Sequence, residues 1–420
     1  MGDLRPLATM TAPTSIFTDE PLLAGLTVVD FTRVLAGPYC TRMLADLGAR
    51  VIKIERPGEG DEIRHTVFQL DPARTDQSTY FTRLNAGKQS IAIDLAHPQA
   101  RDIALDLVRT ADVVVENFSP GVMARYGLGA ATLRALRPEL IYCSISGFGQ
   151  TGPLSSMQAY AHLINAISGM MDLDRGAEAN PRVSYLQTAD VLAGAHAFGA
   201  ICAALVRRGR SGRGAYLDVS MLECLLAADD MTYPALLNGG PVQRMPRIGM
   251  VVHPLGGRYV AVQTAGAPHL WARLTTLIGR PGLASDPRFA TVMARRTNWP
   301  ALLAILHQWL DGFDSVDQAV QTLSAARIPA VPMLSPEEVV QHPQLAARAA
   351  FPEIEHPARG RVRVTALPFH VDGAPVAPGG PAPYRVGQHT RAVLSGFLGY
   401  SDERIEALRS QQVVEIPGEP

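Results

Sequence analysis

Residues 26–55, LTVVDFTRVLAGPYCTRMLADLGARVIKIE, hold two short apolar runs separated by a loop and a helix-length segment. LTVVDFT (26–32) reads as a buried strand, RVLAGP as the loop after it, YCTRMLADLG as a helix and VIKIE (51–55) as a second strand. Apolar runs this short, separated by a helix, suit neighbouring parallel strands. The same alternation continues outward. SIAIDL (90–95), DVVVEN (112–117) and LIYCSIS (140–146) are three further strands, and helical spacing of apolar residues follows His97 and Pro98. The expected architecture is α/β, an open parallel sheet of Rossmann-like type with helices on both faces. In such a sheet ligands bind beyond the carboxyl ends of the strands. Those ends here lead into Arg33–Pro38, Arg56–Asp61, Asn117–Arg125 and Gly147–Pro153.

A second stretch, YLQTADVLAGAHAFGAICAALVRR (185–208), predicts one long apolar helix rich in small residues. Ala193, Gly194, Ala197, Gly199 and Ala204 leave room for neighbouring backbone to approach closely. Thr188 is the expected N-cap, which puts Asp190 in the first turn, where free N–H groups and the helix dipole favour a carboxylate. Further on, 212–230 reads as a strand and a helix, and a second alternation starts at GGRYVAVQTA (256–265). Helices are expected near 269–279, 299–311, 315–326, 336–350 and 389–411, and strands at 326–334 and 361–369. The chain thus divides into an arm (1–20), a large α/β domain (21–228), a smaller α/β domain (229–335) and a C-terminal segment (336–420) returning to the large domain.

Lys plus Arg (38) nearly balance Asp plus Glu (39), so no overall field favours nucleic acid or an acidic membrane. No uninterrupted apolar run of membrane-spanning length stands in the sequence. Cys40, Cys143, Cys202 and Cys224 are widely spaced in apolar segments, which suits reduced thiols and a cytoplasmic location. No H-E-x-x-H, Cys/His ligand set, G-x-S-x-G, Walker A or full dinucleotide fingerprint occurs. Metal hydrolysis, a serine triad, P-loop chemistry and ordinary NAD binding are therefore disfavoured. Gly37 and Pro38 before a helix, with Arg56 and Arg125 in neighbouring loops, suit a phosphorylated ligand. A carboxylate at a helix mouth near such loops is what remains.

These residues carry a specific resemblance. LAGLTVVDFTRVLAGPYCTRMLADLGARVIKIERPGEGDEIR (23–64) is similar to the opening of the class III CoA-transferases, the family of formyl-CoA transferase and the carnitine-associated CoA-transferases. Further matches follow in order: LNAGKQSIAIDL (84–95), ADVVVENFSPGVMARYGLG (111–129), LIYCSISGFGQTGP (140–153), and TADVLAG (188–194) with GRGAYLDVSML (212–222). The resemblance implies that Asp190 is the nucleophile. It also implies CoA contacts at Val34, Leu35, Ala36, Arg56, Ile93, Asn117, Phe118 and Arg125, with Gln158, Ala159, Tyr160 and Ala161 lining the site. A CoA thioester is then substrate rather than resident cofactor, no metal is needed, and two subunits form an interlocked homodimer.

Family members often have an acidic or other polar group where this chain has Ala161, and a Gln in place of Leu35. The α-methylacyl-CoA racemases of the same superfamily carry an essential Asp at the Ala161 position and a His upstream, and this chain has no His between 98 and 161. A CoA-transferase is the expected activity, with an acyl-CoA racemase or epimerase and a non-catalytic CoA-binding protein as alternatives. Many family members use succinyl-CoA and small dicarboxylic acids, and Arg64, Arg83 and Arg247 are candidates to meet a second carboxylate.

Overall fold

The computed structural model describes residues 20–66, 68–175, 180–242, 249–263 and 268–418. Apart from Glu20, the N-terminal arm expected at 1–20 lies outside the described residues, and so does Arg247. The chain forms two units, one of residues 1–171, 183–230 and 344–420 and the other of 172–182 and 231–343.

In the larger unit the apolar runs become six parallel strands: β1 (Thr27–Asp30), β2 (Arg50–Glu55), β3 (Lys88–Ile93), β4 (Val113–Glu116), β5 (Ile141–Ser146) and β6 (Ala215–Ser220). Their order is β3-β2-β1-β4-β5-β6, and a short antiparallel strand, Val414–Glu415, closes the sheet beside β3. This is the doubly wound order, in which the direction of strand addition reverses between β1 and β4. The loops leaving those two strands therefore diverge and open a crevice.

Both faces of the sheet are covered, so its strands are apolar on both sides. On one face pack Ala100, Ile103, Ala104, Leu107 and Val108 of the helix Ala100–Thr110, together with Leu394, Ile405 and Val413 near the C-terminus. The other face receives α1 (Ala36–Asp46) and the long helix Thr188–Ser211. The latter is long and apolar enough, by length and composition, to cross a membrane, although Asp190 and His196 interrupt its apolar run. Its stripe Ala189, Ala193, Ala197, Ile201 and Ala204 is instead packed against Val113, Val115, Ile141 and Cys143 of the sheet. Small side chains at four-residue spacing let this helix lie close.

The smaller unit is built on an antiparallel sheet, Met250–Leu255, Arg258–Gln263 and Ala330–Pro332. Its first strand was not anticipated, because Pro254 reads as a break; the strand lies at the sheet edge, where a missing N–H is tolerated. Gly256 and Gly257 turn the hairpin, both with φ in the left-handed region. The helices Pro268–Leu277, Trp299–Leu310 and Val316–Ala325 cover it. Farther along, the helix expected over 336–350 is two short ones, Pro336–Val340 and Pro343–Ala347, divided at a proline. The strand expected over 361–369 is only Gly360–Arg363. The terminal helix expected over 389–411 breaks at Gly399, whose φ is 70°, before Asp402–Ser410.

Candidate active site

Geometry at the crevice begins with the loop after β1. A Cβ on Gly37 would stand 2.3 Å from the Thr32 Cβ, so only glycine lets the chain fold back into α1 there. Just before it, Val34 has φ 65°, a conformation that β-branched residues avoid. Neighbouring side chains hold it in place. The Arg33 N–H donates to Asn117 Oδ1 at 2.9 Å, and Asn117 Nδ2 donates to the Arg33 carbonyl at 2.8 Å. The Val34 N–H donates to Asp61 Oδ1 at 3.1 Å. A strained backbone clamped from two sides at a strand end is a common feature of ligand sites.

Beneath the loop lies a framework of buried charges. Lys53 Nζ donates to Asp61 Oδ2 at 2.9 Å and to the Thr32 carbonyl at 2.6 Å. Arg64 forks onto Glu55 with two contacts of 2.7 Å, and Glu55 also accepts the Ser90 hydroxyl and the Asp61 N–H. Lys88 Nζ reaches Asp30, Thr41, Asn85 and the Pro38 carbonyl within 3.2 Å. Burying ions is costly unless each is paired and hydrogen-bonded, and these are. Arg64 is fully buried in this framework, so it is not free to meet a substrate carboxylate as the sequence suggested.

Asp190 enters from the opposite side of the crevice. Gln187, not Thr188, holds the N-cap position and makes no side-chain cap, so Thr188 is the first helical residue and Asp190 the third. Burial pushes the Asp190 carboxyl up to about 6. Against that, the backbone amides of Ala36, Ala161 and Asp190 itself, and the charge of His162, favour the ionised form. Ala36 opens α1 and Ala161 opens the helix Ala161–Ile167, so the first turns of three helices converge on one carboxyl. The outcome is a poorly hydrated carboxylate that remains ionised at neutral pH. Tyr80 stands nearby: burial and then the Asp190 charge hold its hydroxyl protonated, pushed up to about 12, and it donates to Gln187 Oε1 at 3.4 Å.

Asp190 lines a cavity of about 170 Å³ together with Val34, Ala36, Asn117, Phe118, Gln158, Ala159 and Tyr160. Segment 158–160 reaches it because Gly147 has no side chain; a Cβ there would meet the Ala159 Cβ at 2.1 Å. A larger cavity of about 760 Å³ is lined by Arg56, Ile93 and Phe118, among others. Phe118, Arg33 and Glu62 border both cavities. Leu35 is buried in a small apolar cluster with Ile63, Phe81 and Leu84 and lines neither cavity. Arg125 is exposed and Ala161 buried, and neither faces these cavities; Ala161 contributes through its backbone amide. The sequence marked Arg33 and Asp61 only as ends of two candidate ligand loops and did not point to Glu62 or Tyr80. Among the described residues, no group of His, Cys, Asp or Glu is arranged to hold a metal ion.

Comparison with known proteins places these features in a family. The profile of CoA-transferase family III matches residues 23–390. An acetyl-CoA:oxalate CoA-transferase of Acetobacter aceti is 40% identical over 334 residues, spanning 77% of this chain and 84% of that protein. A succinate–glutarate CoA-transferase of Agrobacterium fabrum is 34% identical over 90% of this chain and 96% of its own. The crystal structure of a CAIB/BAIF family protein from Brucella suis superposes with a TM-score of 0.76 at 31% identity, covering 90% of this chain and 99% of that one. With a match of this extent, the chain belongs to CoA-transferase family III and is an enzyme of that class.

Proposed function

We propose that the enzyme moves CoA from an acyl-CoA to a free carboxylate through covalent intermediates on Asp190. The observation that carries this reading is the Asp190 carboxyl, poorly hydrated yet ionised, beside the helix-start amides of Ala36 and Ala161 on the wall of a cavity. A desolvated carboxylate held in place is a competent nucleophile toward a thioester. An Asp190 oxygen attacks the acyl carbonyl, the C–S bond breaks, and a mixed anhydride and CoA thiolate form. The thiolate then attacks the aspartyl carbonyl, releasing the donor acid and leaving an aspartyl–CoA thioester. The acceptor carboxylate attacks that thioester, again expelling the thiolate, which takes the acceptor acyl group and frees Asp190. Amides that favour the resting carboxylate are suited to the oxyanions that develop at the same carbon.

A small carboxylic or dicarboxylic acid fits the smaller cavity, and succinyl-CoA is the proposed donor. The family resemblance extends the proposal to an interlocked homodimer and a cytoplasmic location. The test is incubation with a panel of acyl-CoA donors and free acids, read by mass spectrometry for new CoA esters. Asp190→Ala should lose about 10⁴-fold or more of the transfer rate, the scale on which a covalent nucleophile matters. Hydroxylamine should trap the wild-type protein, and not this variant, at residue 190 during turnover. Transfer that survives Asp190→Ala refutes the mechanism.

A further inference from the structure

Glu116, the last residue of β4, is 4% exposed, and no basic side chain pairs with it among the described residues. Its Oε2 accepts the Phe118 backbone N–H at 2.9 Å, and the Ser144 hydroxyl donates to it from β5. In the sheet register Glu116 stands beside Ser144, and Ser144 beside Asp218 of β6. Asp218 in turn accepts the Gln150 N–H, at 3.0 Å and 3.2 Å to its two oxygens, and so holds the loop after β5. The ionisable groups that interact with Glu116 are Tyr142 on β5 and Tyr216 and Asp218 on β6, with Cys143 of β5 acting from the opposite face of the sheet. Burial pushes the Glu116 carboxyl up to about 7, and the Asp218 charge adds to this.

The turn that Glu116 holds matters to the site. Phe118 borders both cavities, and Asn117 clamps the Arg33 backbone from the same turn. We infer that Glu116 is a positioning residue for ligand binding. Its carboxylate fixes the Asn117–Phe118 turn, and through Asn117 the Arg33–Ala36 backbone, so that protonation loosens the turn and weakens the hold on a CoA ligand. A carboxylate accepting an N–H makes a charge-assisted bond that the neutral acid does not match. The inference rests on the reading of these cavities as the site of the thioester. It concerns a group that takes no part in the covalent steps.

The test uses CoA as probe, with dephospho-CoA to remove the titration of the 3′-phosphate, in calorimetric binding from pH 5.5 to 8.5. Wild-type affinity should fall about fivefold or more between pH 8 and pH 6, the lower end of coupling between linked sites. Glu116→Gln should bind weakly with a flat profile. Asp218→Asn, which removes the neighbouring like charge and keeps an acceptor for Gln150, should move the fall to lower pH. Wild-type pH dependence retained by Glu116→Gln overturns the inference. If Glu116→Gln does not fold, an unmoved profile in Asp218→Asn overturns it equally. Failure of the wild type to bind either probe at any pH removes the reading of these cavities as the thioester site, whereas binding with a flat profile removes only the role of Glu116.

Discussion

Gly194 lies against the Ala36 carbonyl: a Cβ on Gly194 would stand 2.5 Å from that oxygen and 3.0 Å from a ring carbon of Tyr39. Gly194 is four residues, about one helical turn, beyond Asp190. The contact therefore sets how closely the Asp190 carboxyl approaches the start of α1. The missing methyl group on one helix fixes the distance between a carboxyl and the amide that favours its charge.

Gly194→Ala separates packing from helix propensity. In an unpacked helix, alanine for glycine gains about 1 kcal/mol. At Gly194 the added methyl meets backbone, and overpacking of this kind costs about 1–3 kcal/mol. Gly199, on the same helix, has nothing within 4 Å of its Cβ position and serves as the control. Thermal melts should show Gly194→Ala less stable and Gly199→Ala slightly more stable than wild type, with the transfer rate reduced only in the first. Stabilisation in both would mean that the helix does not press on α1.

The reaction should depend on pH through Asp190. Only the ionised carboxyl attacks, and burial raises its midpoint to about 6. Sign follows directly: at saturating acyl-CoA, kcat is on its plateau above that pH and declines about tenfold per pH unit below it. A rate profile from pH 4.5 to 8 checks this. A plateau extending unchanged to pH 4.5 would show a well-hydrated carboxyl and remove the basis for its nucleophilicity.

Asn117→Ala deletes both side-chain bonds to the Arg33 backbone at once. Two such bonds are worth about 2 kcal/mol together. Arg33 and Val34 border the smaller cavity and carry no reacting atom, so the loss should appear as a KM raised about thirtyfold with kcat nearly unchanged. Steady-state kinetics with the acyl-CoA varied provides the check. An unchanged KM would show that Val34 keeps its left-handed conformation without the clamp.

Much of this arrangement could be read along the chain, because its signals are local. Short apolar runs separated by helical segments predicted the sheet, and small residues after Thr188 predicted a closely packed helix. The N-cap was misassigned because Thr188 has the right chemistry while Gln187 holds the position without using its side chain. Strand 250–255 was missed because Pro254 is a break signal that an edge strand tolerates. The closing strand Val414–Glu415 is too short to have a period. Arg64 looked like a free anion binder for a different reason. Its partner Glu55 is nine residues away across a turn, and a lone arginine in a loop gives no sign of such pairing.

The framework under the loop was the least legible part, since Asp30 and Lys88 meet across 58 positions of chain. Burial pulls the Lys88 ammonium down from its usual range, and Asp30 opposes that while being held low by Lys88 and Lys53. Removing one partner of such a pair costs about 3–5 kcal/mol, because the other is left charged in a low-dielectric interior. Lys88→Met should therefore destabilise strongly, leaving Asp30 hydrogen-bonded to the Thr32 and Thr41 hydroxyls and the Thr32 amide, with Lys53 as its remaining nearby cation. Adding Asp30→Asn removes the stranded charge, and the double variant should recover part of that loss despite carrying one more substitution. Denaturant unfolding of wild type, both single variants and the double completes the cycle. Simple addition of the two losses would mean that the ions are stabilised independently. Recovery in the double would identify the pair as the unit that supports the Thr32–Ala36 loop.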